Sequence, residues 1–145
     1  MEGLGIFADG ELYAVDVTLV EKVVRNIAFT PVPAAPGAVA GIANMKGGIV
    51  TLLSLSELLG RKRSDKAVHA VVFKALTSGN DQMGLLIDQP DDLISIDDDD
   101  ITPPHLSGSG SEVFFVTGLA EINDRLLRII DLDLINRQYD HMMEG

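Results

Sequence analysis

The chain has 145 residues, of which 46% are hydrophobic and 23% charged, and its formal net charge is −11. That length and apolar content support one domain with a real core and exclude a wholly disordered chain, while the anionic balance disfavours nucleic acid and anionic membranes as partners. There is no cysteine, so disulfides, zinc fingers and thiol catalysis are excluded.

The start, Met1-Glu2-Gly3, lacks the positive region and apolar core of a signal peptide. No apolar run approaches the roughly 18–20 residues that span a bilayer. The expectation is a soluble, cytoplasmic protein with no direct membrane insertion. Leu4 to Ala8 and Glu11 to Val17 flank Asp9-Gly10, and Asp-Gly between two apolar runs predicts a β-hairpin. Val23-Val24 resumes β character after a short polar break at Glu21-Lys22. Pro31, Pro33 and Pro36 then stiffen a loop, because proline fixes φ and lacks the donor a central strand needs. A strand through Gly41-Ile42-Ala43-Asn44 follows, with a tight turn in Met45-Lys46-Gly47-Gly48 and a second strand over Ile49 to Leu53. Asn44 to Gly48 supplies residues that tolerate the positive φ of a hairpin turn.

Ser54 and Glu57 fit a capping box that starts a short helix closed by Gly60. Arg61, Lys62, Arg63 and Lys66 are the densest basic group and read as a solvated loop. Ala67 to Leu76 is strand-like, Ser78 to Asp81 a turn, and Met83 to Asp88 and Leu93 to Ile96 are further strands. Asp97 to Asp100, Pro103-Pro104 and Ser107 to Ser111 make the longest loop. Val113 to Glu121 and Arg125 to Ile130 pair through Asn123-Asp124, a type I′ dipeptide. Asp131 caps a last helix from Leu132 to about Met142, with Leu134, Ile135 and Tyr139 facing inward. About nine or ten short strands, one short internal helix and one C-terminal helix predict a mostly β barrel or sandwich, without a fixed-period repeat.

Motifs that would carry chemistry fail on context. Gly3-Leu4-Gly5-Ile6-Phe7-Ala8 matches a loose dinucleotide fingerprint but has no strand before it and a hairpin after it. The run Asp97 to Asp100 lacks the spaced ligands and turning glycine of a calcium loop. His69, His105 and His141 do not fall at metal-ligand spacing. The serines are concentrated in the long loop, where nothing would hold a base in place. No catalytic, cofactor-binding or metal-ligating residues are expected. With two tyrosines, five phenylalanines and no tryptophan, the chain also lacks stacking platforms for nucleic acid.

Six motifs follow one another along the chain: Val20-x-x-Val23, the Thr30-Pro31-Val32-Pro33-x-x-Pro36 loop, Gly41-Ile42-Ala43-Asn44-Met45-Lys46-Gly47, Gly84-Leu85-Leu86-Ile87-Asp88, Gly118-Leu119-Ala120 and Leu126-Leu127-x-Ile129-Ile130-Asp131-Leu132. In this order and spacing they resemble the CheW family of chemotaxis coupling proteins. The resemblance implies that residues 1–145 form one domain of two small SH3-like five-stranded β-barrels around a shared core, without an active site. It implies partners too: the regulatory domain of a CheA-like histidine kinase and the cytoplasmic tip of a chemoreceptor, with self-association or ring formation with related domains also open. Partner-binding positions carried over are Val20, Lys22, Val23, Asn44, Met45, Lys46 and Gly47. The chain departs from the family pattern at Lys46 for arginine, Lys22 for glutamate, Thr51 for proline, Ser54 for aspartate and Pro90 for valine. These changes leave open a diverged adaptor with a different partner set, pilus-based or otherwise. A small metal-dependent hydrolase built on the acidic residues is the remote alternative.

Overall fold

The computed structural model describes residues 1–33, 35, 38–46, 48–74, 82–104 and 115–144, with side chains as far as Tyr139. Among them are ten strands: β1 Glu2–Ala8, β2 Glu11–Asp16, β3 Val20–Val24, β4 Val39–Met45, β5 Gly48–Ser54, β6 His69–Phe73, β7 Gln82–Ile87, β8 Gln89–Ser95, β9 Val116–Ile122 and β10 Arg125–Ile130. Two α-helices, α1 Leu55–Leu58 and α2 Leu132–Glu144, follow β5 and β10. The strands form two five-stranded sheets, ordered β8-β1-β2-β10-β9 and β3-β6-β7-β5-β4.

The local signals account for the turns. Asp9 and Gly10 adopt φ of 53° and 78°, and Asn123 and Asp124 adopt 52° and 63°, so both dipeptides take the left-handed pair that a type I′ hairpin requires. The Ser54 hydroxyl accepts the Glu57 N–H at 3.3 Å, as the capping signal predicts. Only that half of the box is used in the expected way, because the Ser54 N–H donates to the Ala38 carbonyl instead. Asp131 Oδ1 caps α2 by accepting from the N–H groups of Asp133 and Leu134. The expected turn at Ser78 to Asp81, the start of the strand at Val113, and Pro36, His105 and Ser107 to Ser111 lie outside the described residues.

Alternation along the strands sends side chains into three cores. In β1 and β2, Leu4, Ile6, Tyr13 and Val15 face a central core, while Leu12 and Ala14 face a second one inside their own sheet with Leu127 and Ile129. In β5 and β6, Leu53, Val71 and Phe73 face the same central core, and Val50, Leu52, Ala70 and Val72 face a third core inside the other sheet. Leu55 of α1 and Leu132 and Ile135 of α2 complete the centre. Each sheet therefore curls around its own apolar filling and turns its outer face to its partner. Each curl stops short of a continuous closed ladder, its two ends joined by a single bridge: Thr30–Ile42 in one sheet and Thr102–Leu119 in the other.

The structure also contains a repeat that the sequence reading missed. The order β3-β4-β5-α1-β6-β7 recurs as β8-β9-β10-α2-β1-β2, with the same antiparallel and parallel pairings at corresponding places. From Gly41 to Leu55 and from Gly118 to Leu132 the two copies run in step at a constant offset of 77 residues. The offset pairs the caps Ser54 and Asp131 and the bridge residues Ile42 and Leu119. The second copy is split between the two ends of the chain, which is why no period shows along the sequence.

A candidate partner-docking surface

Strand β3 lies at a sheet edge and, among the described residues, pairs only with β6. Val20 stands opposite Phe73, and Val23 opposite Val71, with a register shift between Val20 and Lys22. In a regular strand a spacing of three would place the two valines on opposite faces. The bulge restores them to one face, because residues directly opposite in a ladder share a face and both partners belong to the central core. Glu21 and Lys22, expected as a break, thus belong to the strand, and the Gln82 amide donates to Glu21 Oε2 at 2.6 Å. Lys22 stands opposite Val72 of the inner core, so it occupies the other face from the valines.

The second half contributes an equivalent edge. Among the described residues strand β8 pairs only with β1, and Leu93 stands opposite Leu4 of the central core. Leu93 is 61% exposed and Val23 37%. The two edge strands thus each carry an exposed large apolar side chain at the margin of the shared core. Pro90 sits in β8 opposite Ile6, and an edge strand tolerates its missing donor.

The remaining expected positions lie on the β4–β5 hairpin. Asn44 is exposed and stands opposite Ile49, which is 54% exposed; Ile42 and Thr51 share that face. Met45 is partly buried and packs against the inner core rather than projecting freely. Lys46 is exposed in the turn, and Gly47 lies outside the described residues. The described residues therefore place the expected positions on two surfaces rather than one, the β3 edge and the β4–β5 tip. Sequence reasoning missed Leu93, Ile49 and Leu126, the last of which is 45% exposed and stands at Ile49's position in the repeat. The offset of 77 residues between the two hairpins was the available signal.

Charge is organised around the β1–β2 hairpin. Glu11 receives the Tyr13 hydroxyl at 2.9 Å, Arg61 from beyond α1 at 3.1 Å and Arg128 from β10 at 3.8 Å. Partial burial alone would raise the Glu11 pKa, but the Tyr13 hydrogen bond and the two guanidinium groups outweigh it and hold the carboxyl below its usual value. Burial, reinforced by Glu11, pushes the Tyr13 phenol well above its ordinary range, so Tyr13 acts as a fixed donor. Arg128 also lies over the Tyr13 ring at 5.9 Å. Because Arg61 belongs to one half and Glu11 to the other, this cluster stitches the two sheets together.

Groups that could do chemistry are dispersed. Asp98–Asp100 forms a 3-10 turn, and among the described residues no three His, Cys, Asp or Glu side chains gather to hold a metal ion. No helix of the described residues is long and apolar enough to cross a membrane.

Comparison with known proteins identifies this architecture. The family model described as "CheW-like domain" matches residues 2–139. The chain is 28% identical over 123 residues to the chemotaxis protein CheW of Rhizobium meliloti (strain 1021), covering 85% of this chain and 79% of that one. It is 29% identical over 139 residues to the chemotaxis protein CheW of Helicobacter pylori (strain ATCC 700392 / 26695), covering 93% and 81%. Its fold is similar to the crystal structure of scaffolding protein TtCheW from Thermoanaerobacter tengcongensis, with a TM-score of 0.77 at 26% identity over 90% of this chain and 88% of that one. Two curled five-stranded sheets around a shared core, and a family model spanning nearly every residue, place the chain in the CheW-like domain family.

Proposed function

We propose that this protein is a noncatalytic cytoplasmic adaptor that couples the tips of chemoreceptors to the regulatory domain of a CheA-like histidine kinase. The family and the scaffolding description of its structural neighbour support a scaffold role. The observation that carries the finer reading is the pair Val23 and Leu93. Each is an exposed large apolar side chain on an edge strand, one from each half, on the face that bears the shared core. An amphipathic helical hairpin docks by laying its apolar positions against such a margin, while polar neighbours fix its register. The hairpin tip with Asn44, Met45, Lys46 and Gly47 is assigned to the kinase domain.

The test is calorimetric titration of the wild type, Val23→Asp and Leu93→Asp against a purified cytoplasmic-tip fragment of a chemoreceptor. Each substitution is expected to weaken binding by roughly tenfold or more, the scale of a buried anchor, with little change in thermal midpoint for the well-exposed Leu93 and a larger one for the less exposed Val23. Undiminished affinity in both variants contradicts the assignment. A second reading, the same adaptor role with a different partner set, draws on Lys22 and Lys46. Both are charge-bearing departures from the family pattern: Lys46 is exposed in the turn, and Lys22 is partly exposed at the β3 edge, opposite Val72 of the inner core.

A further inference from the structure

We propose that His69 is a proton-sensitive clasp on β3, the edge strand that carries Val20 and Val23. The last ladder pair of β3 is Val24–Ala70, and the chain then turns away through Arg25 and Asn26, the latter in the left-handed region at φ 52°. Two backbone donors pin this turn to β6: Ile27 N–H to the Val68 carbonyl at 2.8 Å, and Asn26 N–H to His69 Nδ1 at 3.0 Å. A ring nitrogen that accepts an N–H must present its lone pair, so the imidazole is neutral with its proton on Nε2. A proton added at Nδ1 replaces the acceptor with a second donor and opposes N–H to N–H. Imidazole is the side chain whose charge change falls within the physiological pH range.

The charged groups nearest the ring along the chain and across the ladders are Arg25, Asp65, Lys66 and Asp88. Arg25 follows Val24 at the end of β3, and Asp65 and Lys66 precede β6 and are both exposed. On β7 the residue opposite His69 is Ile87, followed by Asp88, whose Oδ2 accepts the Asp9 N–H at 2.9 Å and whose Oδ1 is buried without a hydrogen-bond partner. Protonation therefore removes one of the two pins on the turn at 25–27, leaving the Ile27 N–H on the Val68 carbonyl, and loosens the end of an edge strand. The consequence for partner binding rests on the docking reading given above.

The experiment follows ring ¹⁵N shifts and Asn26 amide exchange in wild type and His69→Asn as the pH is lowered from neutral to mildly acidic. The Asn Oδ1 can occupy the place of Nδ1 and does not titrate. The expected result is an Nε2–H tautomer at neutral pH and, as the ring protonates, a loss of Asn26 protection of roughly fivefold relative to the intrinsic exchange rate, the worth of one net hydrogen bond. His69→Asn keeps its protection throughout. A ring found protonated at Nδ1 at neutral pH, or Asn26 protection that does not follow the ring, overturns the clasp, and neither readout depends on the variant folding. With the receptor-tip fragment as probe, acid weakens binding by a similar factor in wild type and not in His69→Asn. Acid weakening that is equal in both proteins removes the regulatory role. A fragment that fails to bind either protein at neutral pH contradicts the docking reading instead, and the clasp is then decided by the exchange data alone.

Discussion

Replacing Gly41 by alanine tests the idea that each sheet is drawn into a curl by one bridge between its ends. A Cβ at this position would lie 2.4 Å from the Thr30 carbonyl oxygen, 2.7 Å from Phe29 Cδ2 and 2.9 Å from the Thr30 carbonyl carbon. Two of these atoms are backbone, so the methyl can be accommodated only by moving residues 29–30 away from β4. That movement breaks the Thr30 N–H to Ile42 O and Ile42 N–H to Thr30 O bonds, at 2.8 and 2.9 Å. Two net backbone hydrogen bonds are worth about 2 kcal/mol together, and overpacking adds about 1–3 kcal/mol. The total, roughly 3–5 kcal/mol, is a large share of the about 5–15 kcal/mol that stabilises a domain. With a urea m-value of about 1–3 kcal/mol/M, the midpoint falls by roughly 1–5 M. Gly118, the counterpart in the repeat, is the internal control. There the close atom is a side-chain methyl, Ile101 Cγ2 at 2.6 Å, and the nearest carbonyl oxygen is 3.6 Å away, so Gly118→Ala loses less. Urea denaturation of the two variants decides the matter. A Gly41→Ala midpoint equal to wild type, or a larger loss for Gly118→Ala, refutes the bridge argument.

Three further outcomes follow from the same geometry. Because the Glu11 carboxyl is held below its unfolded value near 4.5, its contribution is present above that pH and is lost as the pH falls through the folded value. Urea midpoints across the acid range should therefore decline less steeply in Glu11→Gln than in wild type, and equal slopes would remove Glu11 from the account. Ser54→Ala should cost about 1 kcal/mol as a lost N-cap, whereas Ser54→Asp should cost more, because Ser54 is fully buried and its counterpart Asp131 is partly exposed; a Ser54→Asp variant as stable as wild type would speak against that difference. Lys46→Glu should weaken binding to the kinase regulatory domain while leaving the thermal midpoint nearly unchanged, and a collapse in stability would mark Lys46 as structural.

Elements governed by local chemistry could be read from the sequence: the Asp9-Gly10 and Asn123-Asp124 turns, the Ser54 and Asp131 caps, and Gly60, whose φ is 79°. The edge at β3 could not, because its polar Glu21-Lys22 interrupts the apolar pattern and the bulge that puts Val20 and Val23 on one face is a product of pairing with β6. The parallel pairings β5–β7 and β10–β2 are equally invisible locally, since each joins strands distant in sequence. The second of them brings the start of the chain beside its end, which completes the split copy of the repeat. At the candidate site, family resemblance located the signature hairpin, but Met45 proved to pack inward, and the exposed Ile49, Leu93 and Leu126 carry no motif of their own.

The central claim is that this protein bridges two partners at once. The direct measurement is sedimentation of a fluorescently labelled kinase regulatory domain with vesicles displaying receptor cytoplasmic tips, with and without this protein. The kinase domain is expected to pellet only when the protein is present, and Val23→Asp to weaken recruitment by roughly tenfold or more while the protein still binds the kinase domain in solution. A kinase domain and a receptor tip that exclude one another, or that both fail to bind the folded protein, would contradict it.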